Sequence, residues 1–128
     1  MPNPNEIFGP TIHQVTREDL LQEGILVDAS TLASEAGFRY PVAVSRAVWE
    51  AYVEVPPGVA CQDETGRLWD ILWVLATEIR RSGAGDTIRF CVYVRNDNRR
   101  PRPVTLKAIC GPGDTPDPVI TILLPDED

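Results

Sequence analysis

Histidine is nearly absent from this 128-residue chain, and lysine as well: His13 and Lys107 are the only examples. A single histidine leaves nothing to build the usual multi-histidine metal sites and makes a nucleophilic triad the less natural reading. Cysteine is sparse too. Cys61, Cys91 and Cys110 are odd in number, widely spaced and form no Cys-x-x-Cys pair, which argues against a disulfide framework or a zinc knuckle. Cys91 and Cys110 fall in strand-like runs, where a free thiol behaves as a small hydrophobe. No apolar run approaches the ~20 residues that cross a bilayer. The first ten residues show neither the basic start nor the apolar stretch of a secretory signal. The expectation is a cytoplasmic protein that engages no membrane.

Phosphate-loop chemistry is missing as well. Gly111-Pro-Gly-Asp114 is glycine-rich but lacks the Lys-Ser/Thr and the following helix that such a loop needs. It reads as a tight turn between strands. No catalytic residue, metal ligand or cofactor site can be assigned.

What the chain has is charge, unevenly placed. Residues 1–64 carry ten carboxylates against three arginines, whereas residues 65–128 carry nine acids against nine bases, so the first half holds the whole net charge of −7. A one-sign surface attracts partners of opposite sign and repels its own. Direct nucleic-acid binding is disfavoured, because it draws its affinity from Lys and Arg neutralising phosphates.

The pattern of apolar residues predicts one domain over 1–128, with an extended arm at 1–10, an acidic tail that frays at 125–128, and short strands at Ile12–Val15 and Ile25–Val27. Thr16 caps a short helix that Gly24 ends, and Asp28 or Ser30 caps a second over Leu32–Ala36. Val42–Ser45 reads as a strand or an entry turn, and Ser45 caps a helix over 46–53. The strongest helix covers 65–82, where Leu68, Ile71, Leu72, Leu75, Ala76 and Ile79 recur every three or four residues. Trp69 and Trp73 widen that stripe, and Gly83 closes it. Beyond Gly85 the period becomes two: Ile88, Phe90, Val92 and Val94 alternate with Arg89, Cys91, Tyr93 and Arg95. Strands at 104–110 and 119–124 follow, the last apolar on both faces. The fold class expected is α+β, a three-stranded antiparallel meander packed on a long Trp-bearing helix, with short N-terminal helices over the rest.

Two surfaces stand out as binding candidates. The first is an acidic face drawn from Glu18, Asp19, Glu23, Asp28, Glu35, Glu50, Glu54, Asp63 and Glu64. The second is an arginine-rich turn of Arg95, Arg99, Arg100 and Arg102, suited to phosphate or acidic protein surface. Trp49, Trp69 and Trp73 are either core or an aromatic anchor for a partner.

Ile7-Phe-Gly-Pro, Ile25-Leu-Val-Asp, Glu35-Ala-Gly-Phe-Arg-Tyr-Pro-Val-Ala, Gly66-Arg-Leu-Trp-Asp-Ile-Leu-Trp, Val104-Thr-Leu-Lys-Ala-Ile-Cys-Gly-Pro-Gly-Asp and Pro118-Val-Ile-Thr-Ile-Leu-Leu-Pro-Asp-Glu-Asp carry a resemblance across nearly the whole chain. They resemble a family of small acidic proteins carried by bacterial plasmids, prophages and other mobile elements, a family with no assigned catalytic residues to transfer. By analogy with small acidic proteins of such elements, the resemblance implies an inhibitor of host defence, anti-CRISPR or anti-restriction. Its partner would be a host protein or ribonucleoprotein complex whose basic groove the acidic face occupies by DNA mimicry. Two alternatives stay open. One is a homodimeric scaffold or regulatory factor for replication or transfer, motivated by the doubly apolar last strand and the Trp stripe. The other is a small enzyme using Asp70, Asp28 or Glu35 with an arginine.

Overall fold

Each helix of the computed structural model begins where a side chain can take up an orphaned backbone N–H. The structure describes residues 15–83 and 85–127; the expected arm at 1–10, His13 and most of the strand expected at Ile12–Val15 lie outside them. Thr16 caps α1 (Arg17–Gln22) in a reciprocal capping box with Asp19. Asp28 Oδ1 accepts from the Ser30 N–H at 3.0 Å as α2 (Ser30–Glu35) starts. Ser45 Oγ accepts from the Val48 N–H at 3.2 Å at the start of α3 (Arg46–Val48), which runs on as a π-helical turn over Trp49–Val53. Asp63 Oδ1 accepts from the Gly66 N–H at 2.6 Å and opens α4 (Glu64–Ser82), whose exit at Gly83 has φ +75°.

The strands are β1 (Leu26–Asp28), β2 (Val42–Ser45), β3 (Thr87–Val94), β4 (Arg102–Pro112) and β5 (Pro118–Leu123). They form one sheet in the order β1-β2-β5-β4-β3. The expected meander is present as antiparallel β3-β4-β5, but three strands understate the sheet. Val42–Ser45 is a full strand that pairs parallel to β5, Val42 opposite Ile120 and Val44 opposite Ile122, with β1 antiparallel outside it. The last strand is therefore central, flanked on both sides, and this position accounts for its apolar character on both faces.

Register fixes the core. Val42, Val44, Ile120, Ile122, Leu106, Ala108, Phe90 and Val92 fall on one face of the sheet and are buried. Against them α4 lays Leu68, Ile71, Leu72 and Leu75, all at 6% exposure or less. Truncating a fully buried member such as Leu72 to alanine costs about 2–5 kcal/mol, the lost transfer energy plus the cavity left behind. The opposite face receives α1: Arg17 reaches over it to Thr121 Oγ1 at 2.5 Å and the Ile120 carbonyl at 2.9 Å.

Two loops are tied down. Gly111 and Pro112, expected in a turn, instead extend β4 opposite Val119 and Pro118; Asp114, in the connection beyond them, accepts from the backbone N–H groups of Arg17 and Glu18 at 2.7 and 3.1 Å and so supplies α1 with a second cap. The tail expected to fray is anchored through Glu127. Its carboxylate accepts from Ser45 Oγ at 2.6 Å and from the Leu124 N–H at 2.8 Å, while its carbonyl accepts from Lys107. Composition alone marks the tail as polar and loose; these three partners, from β2, β4 and the chain just past β5, hold it in place.

Candidate acidic and tryptophan-lined clefts

Only part of the expected acidic face assembles. Asp28 at the end of β1, Glu35 at the end of α2 and Glu64 at the start of α4 line one cleft of about 290 Å³, together with Trp49. A second cleft, sharing Leu32 and Thr65 with the first, holds Asp63 and Asp70 beside Trp69. The packing of α2 against α4 creates this meeting, because it brings residues some thirty positions apart in sequence to one end of the helix. Among the described residues none of these five carboxylates forms an ion pair with an arginine. Asp63 and Asp28 use one oxygen each on a helix cap; both side chains are exposed, and the Asp28 charge also acts on the Arg17 guanidinium.

The other acids go elsewhere. Glu18, Asp19 and Glu23 belong to α1 and its end, across the sheet from the clefts; Asp19 closes the capping box and Glu18 accepts from Gln22 Nε2. Glu50 lies 3.7 Å from Arg46 in an exposed pair. Glu54 ends the π-helical turn, exposed. Nine residues proposed as one face thus divide, with four in the clefts, and Asp70 joins them from outside that set. Desolvation raises the Asp70 carboxyl above its ordinary value.

Aromatic rings border the carboxylates. Trp69 and Trp73 stack with centroids 5.8 Å apart, and Trp73, at 49% exposure, carries the Arg80 guanidinium 5.7 Å above its ring. Trp49 and Trp69 are half-buried. The stripe is neither pure core nor a free patch: its inner edge packs and its outer edge meets water.

A buried arginine backs the clefts, and nothing in the sequence singles it out. Arg67 is 6% exposed and has no carboxylate partner among the described residues. Nε donates to the Tyr52 and Val53 carbonyls at 3.0 and 3.1 Å, Nη1 to Gln62 Oε1 and the Arg95 carbonyl at 2.8 and 2.7 Å, and Nη2 to Asn96 Oδ1 at 2.5 Å. Burial, and secondarily Arg95, lower its pKa. In sequence it is one more charged residue on an amphipathic helix; its only signal is a position directly before Leu68 on the apolar side.

The arginine turn is correspondingly less of a hook than its composition suggests. Arg95 donates to the Ala60 and Asp97 carbonyls and to Asn98 Oδ1, stitching the turn to the 54–63 loop. Arg102 lies 3.5 Å from Asp97. Arg99 and Arg100 alone of the four are exposed without an ion pair among the described residues. Asp70 and Arg67 line one cleft, yet the guanidinium is committed to neutral oxygens and does not pair with that carboxylate.

Cys61 and Cys91 are exposed and Cys110 half-buried; Cys91 points to the outer face of β3, which corrects its reading as a packed hydrophobe. Among the described residues no cluster of His, Cys, Asp and Glu could hold a metal ion, and no helix is long and apolar enough to cross a membrane. A family model described as a family of unknown function, DUF6573, matches residues 5–128. The chain belongs to that family. No significant match occurs among curated proteins or solved structures. Membership brings no activity with it, so the geometry of the clefts carries the functional reading.

Proposed function

We propose that this DUF6573 protein works by stoichiometric binding, setting the clefts at the N-terminal end of α4 against a basic groove of a partner protein. The observation that carries this reading is the convergence of Asp28, Glu35, Asp63, Glu64 and Asp70 on two adjoining, tryptophan-bordered clefts, none of them in an ion pair with an arginine among the described residues. Unpaired carboxylates spaced along a concave surface complement Arg and Lys that otherwise hold phosphates, and Trp49 and Trp69 offer apolar anchor area among them. Together with the resemblance to proteins of mobile elements, this favours a host nucleic-acid-binding complex as the partner, foremost one of CRISPR or restriction defence. No bond is made or broken in this mechanism.

The scaffold alternative loses its main motive, since the doubly apolar strand is satisfied at the centre of the sheet. Titration against purified defence complexes at rising salt tests the proposal. Binding should weaken as salt rises, and the triple variant Glu35→Gln, Glu64→Gln, Asp70→Asn should bind about tenfold more weakly, at roughly 0.5 kcal/mol for each partly exposed pair. Absence of binding to every such complex, or affinity indifferent to salt and to these substitutions, would overturn it.

A further inference from the structure

At its other end α4 borders a cavity of the opposite character. The chamber of about 300 Å³ lies between the C-terminal half of the helix, the sheet and the loop that follows α2, within the size range of small-ligand pockets. It exists because small side chains meet there. Ala76 of α4, Ala108 of β4 and Ala36 after α2 all line it. Register puts Ala108 between Ile88 of β3 and Ile122 of β5, so one methyl group stands where the neighbouring strands carry branched chains. Ile79, Ile88 and Ile120 wall the space.

Among the described residues the charged ones lining the chamber are Arg39 and Arg80, and no carboxylate does. Arg39 is exposed and has no ion pair among the described residues. Arg80 is held over the Trp73 ring, a stacking that orients the guanidinium and leaves its N–H edge available. Two such cations beside an apolar chamber, in a chain of net charge −7, make a local inversion of sign at one pocket.

We propose that this cavity binds a small amphipathic carboxylate, its aliphatic body among the alanines and isoleucines and its two oxygens shared between Arg39 and Arg80. The apolar walls exclude water from the body of such a ligand, and planar guanidinium groups match carboxylate geometry. This site is separate from the acidic clefts and does not depend on how they function.

Calorimetric titration of the full chain with decanoate below its micelle concentration tests the assignment, with decanol and decyltrimethylammonium as comparison ligands. Decanoate should saturate at one equivalent, perturb Trp73 fluorescence through Arg80 and slow alkylation of Cys110, which lines the cavity, without protecting exposed Cys91. Decanol should bind at least about tenfold more weakly, the scale of a charge-assisted hydrogen bond. Arg39→Gln lies on an exposed loop and should fold normally while losing about tenfold in decanoate affinity; Ala76→Leu should fill the chamber and abolish binding. Equal affinity for decanol and decanoate, parental affinity in Arg39→Gln, or no saturable binding would overturn the proposal. So would a ligand-free dimer that Ala76→Leu dissolves, because the chamber would then hold a second copy of the chain.

Discussion

The two ends of α4 differ in almost everything a partner could sense. At the start of the helix, Asp63 and Glu64 meet Asp28, Glu35 and Asp70 in open clefts. At its end, Arg80 and Arg81 face the exit, and Arg80 joins Arg39 beside an apolar chamber. Part of this polarity is self-serving. Acids at a helix N-terminus and bases at its C-terminus each offset the macrodipole. The dipole does not account for Asp28, Glu35 or Arg39, which arrive from other elements and add to the sign already there. Capping chemistry therefore seeds two surfaces of opposite charge, and tertiary packing enlarges them.

Removing Arg67 should break the contrast most severely, because its hydrogen bonds join the π-helical turn, the 54–63 loop and the β3–β4 turn behind the acidic end. Arg67→Leu strands the buried carbonyl oxygen of Val53 and the partly buried one of Arg95 and should cost about 2–4 kcal/mol in urea-induced unfolding. Arg67→Lys should recover only a fraction of that loss, since an ammonium cannot span the same acceptors.

Next in size is the exit of the helix. Gly83 has φ +75° and ψ 175°, a region almost closed to residues with a Cβ, so Gly83→Ala should lose about 1–3 kcal/mol by the same measurement. Asp63→Ala at the entrance should lose about 1 kcal/mol through the missing cap. The two variants together ask whether the ends of α4 support the fold independently; their losses should add to within about 0.5 kcal/mol.

The smallest effect belongs to Asp70. Its carboxyl is raised by desolvation, so the folded chain holds the proton to a higher pH than the unfolded chain does. Stability from this group is present below the ordinary carboxyl value and is lost as pH rises through the raised one. Asp70→Asn should remove that decline and leave the protein slightly more stable at neutral pH, by no more than about 0.5 kcal/mol because solvent screens the site. Thermal melts of parent and variant from pH 3 to pH 7 should converge toward the acid end, in line with the ordinary carboxyl value of ~3.9.

Local signals were legible in the sequence wherever the physics is local. Thr16 and Ser45 cap the helices expected of them, the apolar period from Leu68 to Ile79 yields the long helix, and the alternation from Ile88 to Val94 yields a half-buried strand. The π-helical turn at Trp49–Val53 was not legible, nor was the parallel pairing of Val42–Ser45 with β5, which depends on partners about eighty residues away. The acidic clefts fall between these cases. Charge counting located the right half of the chain, but only the seating of α2 on α4 selects Asp28, Glu35 and Glu64 from among ten acids. Arg67 stayed hidden because its acceptors are mostly backbone carbonyls and amide side chains, groups that every sequence has and no motif marks.

The central position of β5 also bears on how the chain is made. It is the last of the five strands to leave the ribosome, and β2 and β4 both need it to complete their hydrogen bonding. Closure of the sheet therefore cannot begin until β5 has emerged, and it waits on contacts of long sequence separation, the kind that slow folding. Until then the nascent β2 has an open edge, a stage at which chaperone capture or mispairing competes with native assembly.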